Sequence, residues 1–387
     1  MSARPRIGVI AHRFICPGGV QTCFIELVAG LNGLGITPDV IWDEPPDWQA
    51  LGSPAVTASF GGGKLAISSA MLRRLPEWLS DSLSGLSVRF ARLDLERYDF
   101  VYSFEPGIRM PASVPNVCWL TGPAMLELPD PLDDGRRGPS RLKRHIVRRV
   151  APLVRPDPNS RYIAIADWIA DRFHQTYGRR LPVIWPPVRD RVQPESGIRT
   201  LRDGFLFLSR LDRYKNPGAM LKLAQRFPEV PVTVAGATRG PAEEAKGIRR
   251  AAGRRGLRNF SVVEDPTDDT ISRLFASHSF FVFPARWEHF GIVTVEAIRA
   301  GLVPLVHDSG GQREIVPIAA LRFKDEQELL EKAAALLAMT DSERSDMLER
   351  LQRHAARGSA GNYRREMLQL MCRDLSLTHL TSKLQPE

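Results

Sequence analysis

Short apolar runs recur along the first half of the chain, with polar and helical stretches between them. The first run, Arg6 to Ala11, is followed by a loop and then by apolar residues at helical spacing from Phe24 to Leu34. Pro38 to Trp42 is the next run, and together these segments predict a β-α-β unit. Continuous apolar runs of this length are typical of parallel strands that are buried on both faces. Later runs extend the same predicted sheet: Phe100 to Ser103, Val117 to Leu120 and Tyr162 to Ala166.

A second series of apolar runs follows Pro186-Pro187, which we interpret as a hinge. Its predicted strands are Phe205 to Leu208, Val232 to Ala235, Phe260 to Val263, Phe280 to Phe283 and Val303 to Val306. Predicted helices are Ala219 to Phe227, Thr270 to Ser277, a long polar helix from Glu326 to Arg357, and Tyr363 to Leu375. The two series predict an α/β protein with two Rossmann-like domains, residues 1–188 and 189–387.

Composition places the chain among globular proteins, because 43% of its 387 residues are hydrophobic and 25% are charged. No apolar run approaches the roughly 20 residues that span a bilayer. Four scattered cysteines without a CxxC pair argue against a disulfide framework or a zinc site. We therefore expect a cytoplasmic protein.

The formal net charge of +9 favours anionic partners and is concentrated in one segment. Within residues 135–188, Arg136 to Arg155 carries an apolar stripe surrounded by arginines and a lysine. Such a basic amphipathic helix can lie on an anionic membrane surface, which predicts a peripheral protein with a lipid-linked or otherwise anionic acceptor. Alternatively, the stripe packs into a domain core and the cations are simply solvated.

Three loops that follow predicted strands could carry chemistry, since ligands of such sheets bind at the carboxyl ends of the strands. Gly18 and Gly19 lie between the first strand and the first helix, where backbone N–H groups can approach a phosphate. A ligand-free tight turn explains them equally well. Arg210 and Lys215, five residues apart, could clamp a diphosphate, or they could be solvated surface cations.

The most informative stretch runs from Phe283 to Gly301 and contains two glutamates eight residues apart, Glu288 and Glu296. Each carboxylate could accept hydrogen bonds from one diol of a nucleotide sugar. Backbone amides from Phe290 to Ile292, at a helix start allowed by Gly291, could face the phosphates between them. Glu296 could instead be a surface charge, but its apolar neighbours argue for a buried carboxylate with a partner.

The segment EHFGIVTVE resembles the E-x7-E signature of retaining glycosyltransferases of family 4, which have the GT-B fold. Five further segments occur in the order of that family: PGGVQ, NSRYIAIADWIADRF, VIWPPV, SRLDRYK and DSGGQREIV. The resemblance covers both predicted domains. It implies that they face each other across a cleft and that the last helix crosses back to pack on the N-terminal domain.

The resemblance also implies roles for individual residues. Arg210 and Lys215 would bind the donor diphosphate, Glu288 the donor sugar and Glu296 the ribose hydroxyls. The remaining donor-binding positions would be His289, Phe290, Gly291, Ile292, Gly18 and Gly19. No metal or other cofactor is expected, in keeping with the absence of a D-x-D motif.

One position departs from the family pattern, because Thr121 stands where many relatives have a histidine after an N-domain strand. His12 and His289 are the nearby candidates for its role. The sequence thus predicts a retaining, metal-independent hexosyltransferase of bacterial surface glycan or glycolipid synthesis. A nucleotide-sugar epimerase of the same fold is the alternative. A basic nucleic-acid-binding protein is a weaker one, since no nucleic-acid module is present.

Overall fold

The computed structural model of the chain describes residues 4–10, 19–45, 55–72, 74, 83, 87–121, 155–189, 204–238 and 243–381. The described residues divide into two compact units. The first contains those up to Pro187 and those from Gly358 onward, and the second contains Val188–Arg357. The predicted basic helix at Arg136 to Arg155 lies outside the described residues, apart from Arg155, as do His12 and Gly18.

In the first unit, the described strands form one sheet in the order β3-β2-β1-β4-β5-β6, and every pairing is parallel. They are β1 Ile7–Ile10, β2 Asp39–Ile41, β3 Ser59–Phe60, β4 Phe100–Ser103, β5 Asn116–Leu120 and β6 Tyr162–Ala164. The edge strand β3 is exposed, whereas β1, β4, β5 and β6 are buried throughout. Burial on both faces explains why these strands read as continuous apolar runs.

The second unit repeats this plan with the strand order β12-β11-β10-β7-β8-β9, again parallel throughout the described residues. Its strands are β7 Phe205–Leu208, β8 Val232–Gly236, β9 Phe260–Glu264, β10 Phe280–Phe283, β11 Val303–His307 and β12 Arg322–Phe323. A parallel sheet with helical crossovers in each unit confirms the predicted fold class, two Rossmann-like α/β domains.

Helices connect the strands. Those of the first half are α1 Gly19–Gly33, α2 Ser69–Leu72 and α3 Asp167–Tyr177. Those that follow are α4 Met220–Arg226, α5 Glu243–Arg254, α6 Asp268–Ser277, α7 Ile292–Arg299, α8 Gln312–Ile315, α9 Glu326–Leu337, α10 Asp341–Ala355, α11 Ala360–Asp374 and α12 Thr378–Thr381. Within the described ranges, no helix combines the length and the apolar character that crossing a bilayer requires.

The helix α11 belongs to the first unit although it comes last but one in the chain. It packs against α1, where a Cβ on Gly30 would lie 3.0 Å from Leu368. The hydroxyl of Tyr102 in β4 donates to the carbonyl oxygen of Met367 at 3.0 Å. Arg161 and Asp374 form an ion pair at 2.7 Å. Apolar packing, a buried hydrogen bond and an ion pair thus all hold α11 on this sheet.

The single long helix predicted from Glu326 to Arg357 is wrong, because the structure has two helices there, α9 and α10. Thr340 begins α10 with a capping box. Its hydroxyl accepts from the N–H of Glu343, and the Glu343 carboxylate accepts from the N–H of Thr340 at 2.8 Å. The capping box provides acceptors for backbone N–H groups in the first turn of α10, which have no carbonyl partner within that helix. A new helix can therefore begin at this point.

Candidate active site

The loops that follow β7, β10 and β11 lie side by side, because β10 pairs with both other strands. All three strands are parallel, so their carboxyl ends open onto the same edge of the sheet. The loop after β7 holds Arg210 and Lys215, and the loop after β10 holds Glu288 and His289. Strand order therefore places cations and carboxylates from distant parts of the sequence next to each other.

Asp212 organises the loop after β7. Its carboxylate accepts a hydrogen bond from the N–H of Lys215 at 3.0 Å and caps the 3-10 turn Arg213–Lys215. The same carboxylate lies 3.4 Å from the guanidinium of Arg210. The Arg210 side chain remains 43% exposed and is available to a ligand. One carboxylate thus supports both cations of the predicted clamp.

Lys215 reaches across to the neighbouring loop and pairs with Glu288 through its ammonium group. The two side chains are only 17% and 15% exposed. The ammonium also lies 5.7 Å from the centre of the Phe283 ring, a distance at which a cation is attracted to an aromatic face. This ion pair therefore joins two predicted site residues in a largely shielded setting.

Glu288 is ionised despite its burial. Burial, the largest influence, would raise the pKa of its carboxyl group, but Lys215, His289 and Arg210 together hold that pKa below the ordinary value. Conversely, burial and the charge of Lys215 lower the pKa of His289, and Glu288 opposes them only in part. At neutral pH the site therefore presents a carboxylate that accepts hydrogen bonds and an uncharged imidazole.

The loop after β10 turns sharply into α7. Gly291 has φ 111° and precedes the first residue of the helix. The conformation favours glycine, and a Cβ at this position would lie 2.2 Å from the side-chain nitrogen of Gln312, so any side chain would also have to displace the Gln312 amide. Phe290 is buried and Ile292 is half-buried. Glu296, in the second turn of α7, is only 6% exposed.

The loop after β11 presses directly on this turn. A Cβ on Gly310 would lie 2.3 Å from the carbonyl oxygen of Glu288, and one on Gly311 would lie 2.4 Å from that of His289. The N–H of Gly311 donates to the carbonyl oxygen of Glu288 at 2.7 Å. Because the two glycines of the DSGGQREIV segment have no side chains, the loop after β11 can pack directly against the backbone of the loop after β10.

The structure brings Lys215, Glu288 and His289 together, and it places Arg210 close enough for its charge to lower the pKa of Glu288. The ribose role of Glu296 stays a prediction. Of the predicted residues in the first unit, Gly19 begins α1 and Thr121 is half-buried directly after β5. Both lie at the carboxyl edge of their sheet, and their roles also stay predictions.

Sequence reasoning missed two residues that contact the site, Asp212 and Ser309. Asp212 could have been suspected, because an aspartate directly before a short turn often caps it. Ser309 precedes the two glycines of its loop, but nothing in the sequence shows that its side chain reaches Trp287. Within the part of the chain that the structure describes, no group of histidines, cysteines and carboxylates is arranged to hold a metal ion.

Solved structures share this fold along nearly the whole chain. A glycosyltransferase from Rickettsia africae matches with a TM-score of 0.67 at 13% identity, covering 96% of this chain and 99% of that one. Sucrose-phosphate synthase from Thermosynechococcus elongatus matches with a TM-score of 0.66 at 14% identity, covering 97% and 100%. The Anabaena protein HepE in complex with UDP-glucose gives 0.63 at 16%, covering 96% and 100%. These likenesses show that the fold is GT-B.

Sequence comparison adds a partial match to one family model. A search of curated proteins found no match to the chain. Residues 188–354, however, match the family model of glycosyl transferases group 1. The matched range contains Arg210, Lys215, Glu288 and Glu296 and coincides closely with the second unit. The second unit therefore resembles the domain that this family model describes.

Proposed function

We propose that this chain is a retaining glycosyltransferase that moves a sugar from a nucleoside diphosphate sugar to an acceptor hydroxyl. The observation that carries the proposal is the shielded Lys215–Glu288 ion pair with Arg210 beside it, at the carboxyl edge of a group 1 domain. Ionised groups of both signs at one place suit a ligand that joins an anionic diphosphate to a neutral sugar rich in hydroxyl groups.

Arg210 and Lys215 would hold the diphosphate. A guanidinium fork can bind two phosphate oxygens, and an ammonium has three donors, of which the contact with Glu288 uses one. Both charges would stabilise the negative charge that grows on the diphosphate as the sugar departs. Backbone N–H groups from Phe290 to Ile292, at the start of α7, would add partial positive charge on the same side.

Glu288 and His289 would hold the sugar. An ionised carboxylate accepts hydrogen bonds from sugar hydroxyls and also stabilises positive charge at the anomeric carbon. The uncharged imidazole of His289 can exchange hydrogen bonds with a hydroxyl group without repelling that charge. Glu296 would accept from the ribose hydroxyls, while the contributions of Gly18, Gly19, Thr121 and His12 rest on the sequence resemblance.

Retention of configuration follows if the acceptor attacks from the face that the diphosphate leaves. The bond between the anomeric carbon and the phosphate oxygen breaks, and the acceptor oxygen forms a bond to the same face of that carbon. The acceptor proton passes to an oxygen of the departing diphosphate, so no protein base is needed. This step requires no metal ion when Arg210 and Lys215 neutralise the diphosphate.

UDP-glucose is the first donor to test, because a protein of the same fold was solved in complex with it. We propose a glycan or lipid-linked acceptor of bacterial surface glycan or glycolipid synthesis, used on the cytoplasmic side of the membrane. The basic segment from Arg136 to Arg155 supports an anionic acceptor or membrane surface.

The proposal is tested by measuring binding and turnover of nucleoside diphosphate sugars. Calorimetry should detect binding of at least one of them, and Lys215→Ala should lower turnover by about 10²–10³-fold. Lys222→Ala is the matched control, because Lys222 pairs with Glu326 in an exposed ion pair of the same unit. Conversion of the donor without any acceptor would identify an epimerase instead. No binding of any nucleotide sugar to the wild type would refute the proposal.

A further inference from the structure

The backbone immediately before Glu288 has an unusual conformation. Trp287 has φ 55°, in the left-handed region that residues other than glycine rarely adopt. A residue persists in this conformation only when its surroundings impose it, and such residues cluster at functional sites. The turn at Trp287 sets the direction in which the Glu288 side chain leaves the loop. Whatever holds Trp287 in place therefore also aims Glu288 at Lys215.

The hydroxyl of Ser309 holds Trp287 in this turn. The N–H of Trp287 donates to the Ser309 oxygen at 2.8 Å, and Ser309 is only 3% exposed. At the other end of the same two residues, the N–H of Gly311 donates to the carbonyl oxygen of Glu288 at 2.7 Å. The Trp287-Glu288 dipeptide is thus fastened at both ends to the loop after β11.

His307 fixes the orientation of the Ser309 hydroxyl. The Nε2 atom of His307 lies 3.1 Å from the carbonyl oxygen of Lys324, which can only accept, so Nε2 carries the proton. In the neutral ring Nδ1 then accepts, and it lies 2.9 Å from the Ser309 oxygen. The Ser309 O–H therefore donates to His307, which leaves a lone pair of the same oxygen for the N–H of Trp287.

The burial of His307 and the groups around it favour this neutral form on balance. Burial lowers the pKa of His307, and the nearby Arg286 guanidinium lowers it further, whereas the hydrogen bond to the backbone carbonyl oxygen of Lys324 and the charges of Asp308 and Asp325 raise it in part. The chain of hydrogen bonds consequently runs in one direction, from Trp287 and Ser309 to His307 and Lys324.

We propose that Ser309 and His307 are positioning residues for Glu288. Neither side chain is proposed to touch the donor. They act through the backbone of Trp287, and their catalytic effect rests on the proposed function of the site. Their loss should lower turnover through misplacement of the Glu288 carboxylate, while nucleoside diphosphate binding, which depends on Arg210 and Lys215, should change little.

Three variants test the individual hydrogen bonds of the series from Trp287 through Ser309 to His307. Ser309→Ala removes the acceptor for Trp287, and His307→Leu removes the acceptor for Ser309. His307→Asn keeps an oxygen that can replace Nδ1 and should recover much of the activity lost in His307→Leu. We expect Ser309→Ala and His307→Leu to lower kcat at least tenfold, with the Kd for UDP within about twofold of wild type.

A similar hydroxyl-imidazole contact at the opposite edge of the same sheet supplies the matched control. Thr233, at the start of β8, lies 2.9 Å from Nε2 of the buried His278. Thr233→Val should reduce thermal stability as Ser309→Ala does but leave kcat of the folded protein unchanged. If Ser309→Ala and His307→Leu also keep wild-type kcat, or lose activity only in proportion to lost stability, the proposal is wrong.

A crystal structure of Ser309→Ala decides the positioning role even if no nucleotide sugar binds to the wild type. We expect Trp287 to leave the left-handed region and the Lys215–Glu288 ion pair to separate. An unchanged turn with the ion pair intact would overturn the positioning role without affecting the proposed function. Absence of nucleotide-sugar binding by the wild type would refute that function without affecting this crystallographic result.

Discussion

Lys215 and Glu288 are 73 positions apart in the sequence, yet their side chains form a largely buried ion pair between two neighbouring loops. Such a pair gains little net stability, since desolvation offsets much of the attraction. Removing one partner is nevertheless costly, because the other charge remains buried without compensation. The pair therefore links the stability of the second unit to the chemistry proposed for it.

Replacement of Lys215 by methionine should damage both stability and activity. Loss of a preorganised cation at developing negative charge typically lowers kcat by about 10²–10³-fold. Without the Lys215 charge, burial would be the main influence on the Glu288 carboxyl group and would raise its pKa. Urea denaturation should show Lys215→Met to be less stable than the double variant Lys215→Met/Glu288→Gln, which has no buried charge. Equal stability of the two would contradict the pairing, and Lys222→Met serves as the exposed control.

The ion pair predicts a defined pH dependence of stability. The pKa of Glu288 is lower in the folded protein than its ordinary value of 4.5. Its contribution to stability is therefore fully present above that value and is lost as the pH falls through the lower folded pKa. Wild type and Glu288→Gln should differ in Tm near neutral pH and converge in acid. A difference that stays constant down to about pH 3 would exclude this linkage.

Gly236 at the end of β8 should tolerate no side chain. A Cβ there would lie 1.5 Å from the carbonyl oxygen of Ser209, directly before Arg210. Gly236→Ala must push apart the ends of β7 and β8 and should yield little folded protein. Gly247→Ala is the contrasting change, since a Cβ at this helical position meets nothing within 4 Å. It should raise the free energy of unfolding by about 0.5–1 kcal/mol. Circular dichroism during denaturation measures both.

Two buried tyrosines of the first unit differ in whether the hydroxyl group has a hydrogen-bond partner. Tyr102 donates its hydroxyl hydrogen to Met367, whereas the buried hydroxyl of Tyr363 has no hydrogen-bond partner among the described residues. Tyr102→Phe should lower the free energy of unfolding by about 1 kcal/mol. Tyr363→Phe should be neutral or stabilising, because it removes an unsatisfied polar group while keeping the edge-to-face contact of the ring with Trp119. Equal destabilisation by both changes would contradict this assignment.

Most of the described strands could be predicted from local sequence, because a parallel strand covered on both faces must be apolar almost throughout. Phe280–Phe283 is such a case, with all four residues buried. The helix α5 escaped prediction because its buried face consists only of Ala245, Ile248 and Ala252 within a strongly charged segment. The edge strand β3 has only two residues, Ser59 and Phe60, both exposed, and therefore shows no continuous apolar run.

The candidate site was predictable as a set of residue types but not as an arrangement. The spacing of Arg210 and Lys215 and the two glutamates of the E-x7-E segment indicated charged ligand groups after strands. Their meeting depends on β7 lying beside β10, which is a property of strand order. The roles of Ser309 and His307 depend on hydrogen bonds between loops, and no spacing within either loop encodes such contacts.

By itself, the sequence determined which segments are buried and which chemical groups follow them, because hydrophobic periodicity and turn residues act over a few neighbouring positions. The tertiary structure alone decided which loops share an edge, that Lys215 neutralises Glu288, and that Trp287 is held in a left-handed turn by Ser309. The reason is physical. Charge pairing and hydrogen bonding act over a few ångströms of space, and only the packing of strands converts distant sequence positions into such neighbours.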